Sequence, residues 1–99
     1  MTDEMEDAVR RRRLAWRCAH RGMKEVDLIF GGFVAETIDR FSAAELDEVE
    51  ILAELPDNVL LDWILGRKPV PPEYDTPLTR ALLEKRLKIA DYTAAGLTR

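Results

Sequence analysis

Val26, Phe30, Phe33, Val34, Ile38 and Phe41 fall at offsets of 0, 4, 7, 8, 12 and 15 along the chain. That is the spacing of a single helix face. It predicts an amphipathic second helix over about Met23 to Phe41, with Ile29 beside the stripe, whose apolar side other elements must cover. The segment Val26-Asp27-Leu28-Ile29-Phe30 also has strand character, but the longer 3.6-residue period outweighs it. Gly31-Gly32 interrupts the stripe at a cost of about 1 kcal/mol per glycine in helix propensity. The pair predicts either a close helix crossing or a kink.

Four further helices are legible around this one. Ala8 to Arg21 forms the first, with Leu14 and Cys18 four apart, as are Ala15 and Ala19, and it follows a frayed tail at residues 1–7. Ser42-Ala43-Ala44-Glu45 is a capping box that opens the third, with Leu46, Val49, Leu52 and Ala53 inward and Glu48, Glu50 and Glu54 on an acidic outer face. Pro56 resets the chain, and Asp57 is placed to cap a short, nearly all-apolar fourth helix around Trp63 that Gly66 closes. Three prolines between Gly66 and Asp75 make an extended linker. Thr76-Pro77 then starts a fifth helix, with Leu78, Ala81, Leu82 and Ile89 on one side and Leu83, Leu87 and Ala90 adjacent, running to about Tyr92. The expectation is an all-α, compact five-helix bundle in a single domain, residues 1–99, with its core at 8–93 and a loose end at 94–99.

Charge and composition narrow the function classes. With 99 residues, 46% of them apolar and 34% charged, the chain suits one globular core and a well-solvated surface. No apolar run reaches membrane-spanning length, and the acidic start does not resemble a signal peptide, so a soluble, cytoplasmic bacterial protein is expected. Cys18 is the single cysteine, which excludes an internal disulfide. Cys18 and His20 lie two apart on a helix and point different ways, so no metal site is expected. No glycine-rich phosphate loop follows a strand. Ser42 serves as a cap, and no nucleophile sits beside a base, so no catalytic residue is assigned. A thiol enzyme through Cys18 would need a lowered thiol pKa.

The net charge of −4 conceals a division. Arg10 to Lys24 holds seven basic residues and no acidic one, while Glu36 to Asp62 holds nine acidic residues against Arg40 alone. Such a chain steers two different surfaces or attracts itself. A small nucleic-acid-binding adaptor using the Arg10–Arg17 face is the alternative function, although the overall charge argues against nucleic acid as the main partner.

Between the first two helices stand Arg21, Gly22 and Glu25. A glycine at a helix break tolerates positive φ and close backbone approach. From the residues alone, this corner is either a helix C-cap followed by a salt bridge or a knob that docks on a partner.

The pattern R-R-x-L-x-W-x-C-x-x-R-G-M-x-E-x-D, Arg11 to Asp27, resembles the SdhE family of succinate dehydrogenase assembly factors, which has mitochondrial counterparts. Its hallmark R-G-x-x-E is present as Arg21, Gly22 and Glu25, and the similarity continues through the capping box, P-D-N-V-L-L-D-W-I and the proline-rich linker to about Asp91. The resemblance implies a five-helix protein that binds the flavoprotein subunit of succinate dehydrogenase, and of fumarate reductase in some bacteria, and a monomer is expected. It implies promotion of covalent FAD attachment by the flavoprotein's own chemistry, with no cofactor held permanently and no membrane insertion. By the same resemblance, Arg21, Gly22, Met23, Glu25 and Asp27 are the partner-binding residues, and Arg17, one turn before Arg21, is expected to join that contact. Gly22 would admit the partner's backbone, Arg21 would grip a carboxylate or carbonyls, and Glu25 would pair with a cation or fix Arg21. The acidic third helix would face solvent. His20 departs from the family pattern, which often has a basic residue there.

Overall fold

The computed structural model describes residues 2–85. Helix α1 spans Thr2–Ala19. Helix α2 (residues 24–40) is one rod of four consecutive segments: α-helical at Lys24–Val26, π-helical at Asp27–Gly31, α-helical at Gly32–Thr37 and 3-10 at Ile38–Arg40. Helix α3 is Ala43–Ala53, α4 is Asp57–Ile64, and α5 covers residues 77–85. A 3-10 turn at Pro72–Tyr74 lies in the linker, and no strand occurs among the described residues. Among the described residues the fold is all-α, with five helices around one core. The expected continuation of α5 through Leu87, Ile89, Ala90 and Tyr92, and the loose end at 94–99, lie outside the described residues.

The predicted stripe is the spine of that core. Val26, Phe30, Phe33, Val34, Ile38 and Phe41 are all buried, none more than 8% exposed. They pack with Leu14 and Cys18 of α1, Leu46, Val49, Leu52 and Ala53 of α3, and Leu60, Trp63 and Ile64 of α4. Gly31 resolves the glycine pair as a close crossing. A β-carbon there would lie 2.6 Å from Ala19 Cα and 2.9 Å from the Cys18 carbonyl oxygen, so only glycine lets α2 approach the end of α1 this closely. Gly32 faces the stem of Lys85 instead, whose ammonium reaches Glu36 at 2.6 Å and ties α5 to α2.

Three local features differ from the sequence expectation. Helix α1 begins at Thr2 rather than Ala8. Glu4, Glu6 and Asp7 suit the positive end of a helix dipole, and Asp7 pairs with Arg11 one turn on, at 2.7 Å. On α5, Ala81 faces solvent, whereas Thr79 is buried. The third difference is at α4, where Pro56 and not Asp57 is the N-cap residue, and no side chain caps the helix. Asp57 is drawn away by a different partner.

The remaining caps follow the sequence. Ser42 accepts from the Glu45 amide at 3.2 Å while Glu45 accepts from the Ser42 amide at 2.8 Å. Past α4, Gly66 has φ +73°, the Gly66 amide donates to the Trp63 carbonyl, and the Arg67 amide donates to the Asp62 carbonyl. That double bond is the Schellman closure. Thr76 caps α5 through its hydroxyl, which accepts from the Thr79 amide at 3.3 Å. The linker returns over the core, with Tyr74 against Trp63 at 5.4 Å between ring centroids.

Candidate functional site

The corner between α1 and α2 is fixed from both sides. Gly22 has φ +100°, a conformation that L side chains rarely adopt. The Asp27 carboxylate accepts from the Arg21 amide at 2.9 Å and from the Gly22 amide at 3.3 Å. It thereby binds the backbone donors left open where the chain turns out of α1. Asp27 can reach back because it lies one turn into α2, and its own amide donates to the Met23 carbonyl at 2.8 Å.

Arg21 faces inward. Its side chain is 11% exposed. Its guanidinium donates to the Asp57 carboxylate at 2.5 Å, to the Ala53 carbonyl at 2.8 Å and to the Leu55 carbonyl. The same group lies 5.9 Å from the Phe30 ring centroid. Ala53 and Leu55 carry carbonyls that the end of α3 leaves without an intrahelical donor, so Arg21 caps α3 and pairs with the first residue of α4 at once. The fork that the resemblance aimed at a partner's carboxylate and carbonyls is satisfied by the chain's own. A rigid planar donor set suits three fixed acceptors better than an ammonium would.

What is left at the surface is narrow. Gly22 is exposed, and a β-carbon built on it meets nothing within 4 Å. Within the free chain, backbone conformation and not crowding selects glycine there. Glu25 is exposed and makes no hydrogen bond or ion pair with any described residue, so it does not fix Arg21. Lys24, beside it, is also exposed and unpaired among the described residues. Met23 is half-buried and packs on the core. Arg17 is paired with Glu54, the C-cap residue of α3. The six expected contact residues therefore divide: Arg21 and Asp27 build the corner, Met23 and Arg17 join it to the body, and Gly22 and Glu25 form its open face.

The uneven charge is largely self-attraction. Arg10 binds Glu50 through two nitrogens, at 2.9 and 3.0 Å, and Asp47 at 2.6 Å. Arg11 pairs with Asp7 and donates to the Ile38 carbonyl. With Arg17 on Glu54 and Arg21 on Asp57, four of the six arginines from Arg10 to Arg21 are neutralised internally. The carboxylates along α3 pair with α1 while staying largely in solvent, Asp47 at 69%, Glu50 at 42% and Glu54 at 71% exposed, and Glu48 accepts from the Thr76 hydroxyl at 2.6 Å. The acidic helix thus faces solvent, as expected, and is paired with α1 at its edge.

Asp57 bonds Arg21 rather than the end of its own helix. Its position after Pro56 suggests a cap, and no local spacing signals a partner 36 positions away. Cys18 is fully buried, and burial pushes its thiol up to about 12 against the opposing pull of Arg21 and Arg17. A thiol held protonated is not an activated nucleophile. Among the described residues, no group of three or more His, Cys, Asp or Glu could hold a metal ion, and no helix is long and apolar enough to cross a membrane.

Residues 12–86 match the family described as "Flavinator of succinate dehydrogenase". The chain is 47% identical over 77 residues to the FAD assembly factor SdhE of Acetobacter pasteurianus, covering 78% of this chain and 71% of that protein. It is 31% identical over 70 residues to the mitochondrial succinate dehydrogenase assembly factor 2 of Dictyostelium discoideum, covering 71% of this chain and 50% of the relative. Against assembly factor 2-B of Drosophila persimilis the identity is 37% over 75 residues, 74% of this chain and 48% of the relative. The chain thus spans about half the length of these mitochondrial relatives. No solved structure matches it. The matched span contains the whole corner and the α3–α4 turn that Arg21 holds, and the chain belongs to the SdhE family of succinate dehydrogenase assembly factors, which are not themselves catalysts.

Proposed function

We propose that this protein binds the flavoprotein subunit of succinate dehydrogenase and promotes covalent attachment of FAD to it. The observation that carries the reading is the corner: an open Gly22, and a Glu25 unpaired among the described residues, on a turn fixed by Asp27 and Arg21. A prepared surface loses little freedom on docking. Gly22 offers bare backbone to a close-packed partner, and Glu25 offers a carboxylate to a cation on it. Arg21 acts from inside, as a positioning residue. The protein contributes no reacting group and holds no cofactor of its own. It favours a flavoprotein conformation in which the subunit's own residues and FAD react. It acts as a monomer in the cytoplasm, and its contact with the flavoprotein is transient.

The test is flavin fluorescence of the denatured flavoprotein subunit in a gel, from cells carrying the wild type, Gly22→Arg or no copy of the gene. Denaturation strips non-covalent FAD, so the band reports only the covalent bond. Strong fluorescence with wild type and loss in the other two is the expected result. Equal fluorescence in all three would overturn the reading.

A further inference from the structure

The outward face of α1 carries side chains that the described residues do not engage. Arg12 and Trp16 are one turn apart, His20 lies a further turn along, and Arg13 sits beside them; all four are exposed. Arg10, Arg11, Arg17 and Arg21 are each tied to a carboxylate of the chain, yet Arg12 and Arg13 form no hydrogen bond or ion pair with any described residue. Trp16 is 63% exposed but held. Its ring stacks on His20, with centroids 4.2 Å apart and planes 12° from parallel, and His20 Nδ1 lies 2.7 Å from the Trp16 carbonyl oxygen. An indole fixed in one orientation has already lost rotamer freedom that binding would otherwise remove. Tryptophan flanked by arginine is also the composition of interface hot spots. His20 directly precedes Arg21-Gly22, so this strip leads without a break into the corner.

We infer that the Arg12–Arg13–Trp16–His20 strip is a second contact surface, taking an acidic patch of the flavoprotein subunit with an apolar recess for the indole. This rests on the proposed function. Charge selects the class of occupant. Two arginines unpaired among the described residues match a local carboxylate cluster on a protein surface. They are too few to follow a phosphate backbone, on a chain of net charge −4 whose other arginines in this helix are neutralised. The α1 helix supplies orientation, and the corner supplies close approach.

The experiment is isothermal titration of FAD-loaded flavoprotein subunit, lacking the covalent bond, with wild type, Trp16→Ala, the Arg12→Glu/Arg13→Glu double variant and Gly22→Arg. Circular dichroism melts accompany each. Trp16→Ala is expected to weaken binding by about tenfold or more at unchanged Tm. The double variant is expected to weaken it and to lose the wild type's decline in affinity with added salt. Wild-type affinity in both, with Gly22→Arg inactive, would overturn the strip and leave the corner standing. A wild type that does not bind the subunit at all would overturn both. Retention of a labelled DNA duplex that the double variant loses, at unchanged flavoprotein affinity, would also overturn the strip as a protein contact.

Discussion

Gly22 and Gly31 are both required, for opposite reasons, and substitution separates them. A β-carbon at Gly31 meets backbone at 2.6 Å, whereas one at Gly22 meets nothing within 4 Å but must adopt φ +100°. Gly31→Ala should push α1 from α2 and cost about 1–3 kcal/mol, and Gly31→Val should cost considerably more, because overpacking grows with volume. At Gly22 the cost is backbone strain, also about 1–3 kcal/mol, and should be nearly the same for Ala and Arg. Urea unfolding of the four variants checks this. Equal losses for Ala and Val at position 31 would show that the crossing yields freely. The same contrast explains how Gly22→Arg can test docking: its side chain enters open space in the free chain.

Among the elements, the α3–α4 turn depends on a residue from neither helix. Arg21 supplies donors to Ala53, Leu55 and Asp57, so the end of α3 and the start of α4 are held against the corner by one guanidinium. Removing the carboxylate in Asp57→Ala should cost about 1.5–3 kcal/mol, the range for a hydrogen bond to a charged group. Asp57→Asn should cost less, since its amide oxygen still accepts. Arg21→Ala should exceed both, at about 3–5 kcal/mol, because a partly buried carboxylate loses its cation while two carbonyls lose their donor. Thermal melts in that rank order support Arg21 as an internal strut. An Arg21→Ala variant as stable as wild type would place its guanidinium at the surface instead.

Across the whole molecule, α1 and α3 are clasped by opposite charges, and pH reads the clasp. The Arg10 guanidinium, donating to Glu50, holds that carboxyl below its ordinary 4.5, and the Arg10 pKa is raised in turn by Glu50 and Asp47. The unfolded chain takes up a proton at Glu50 near pH 4.5, while the folded chain resists until lower pH. The contribution is therefore present above pH 4.5 and lost as pH falls through the folded value. Melting temperatures from pH 7 down to 3 should fall, and Glu50→Gln should make that decline shallower. An identical acid profile in the variant would mean the pair contributes nothing measurable, as many exposed pairs do not.

Helix periodicity and end signals are local properties of a chain, and they determined most of the fold. The Val26–Phe41 stripe named six residues that are all buried, and the Ser42–Glu45 box, Gly66 and Thr76 capped where their chemistry indicated. The family was legible for the same reason, since its motif is a run of adjacent residues. Which way each motif residue faces was not legible. Spacing left the Arg10–Arg21 basic run equally able to serve a partner or the chain itself, and only packing α1 on α3 consumed four of its arginines. Likewise, Arg21 turned inward because the fold brings two helix-end carbonyls and Asp57 within one guanidinium's reach, from 32 to 36 positions away. Long-range pairing of charges depends on tertiary distance, which a linear pattern does not carry. Gly22 and Glu25 were left at the surface once those pairings had formed.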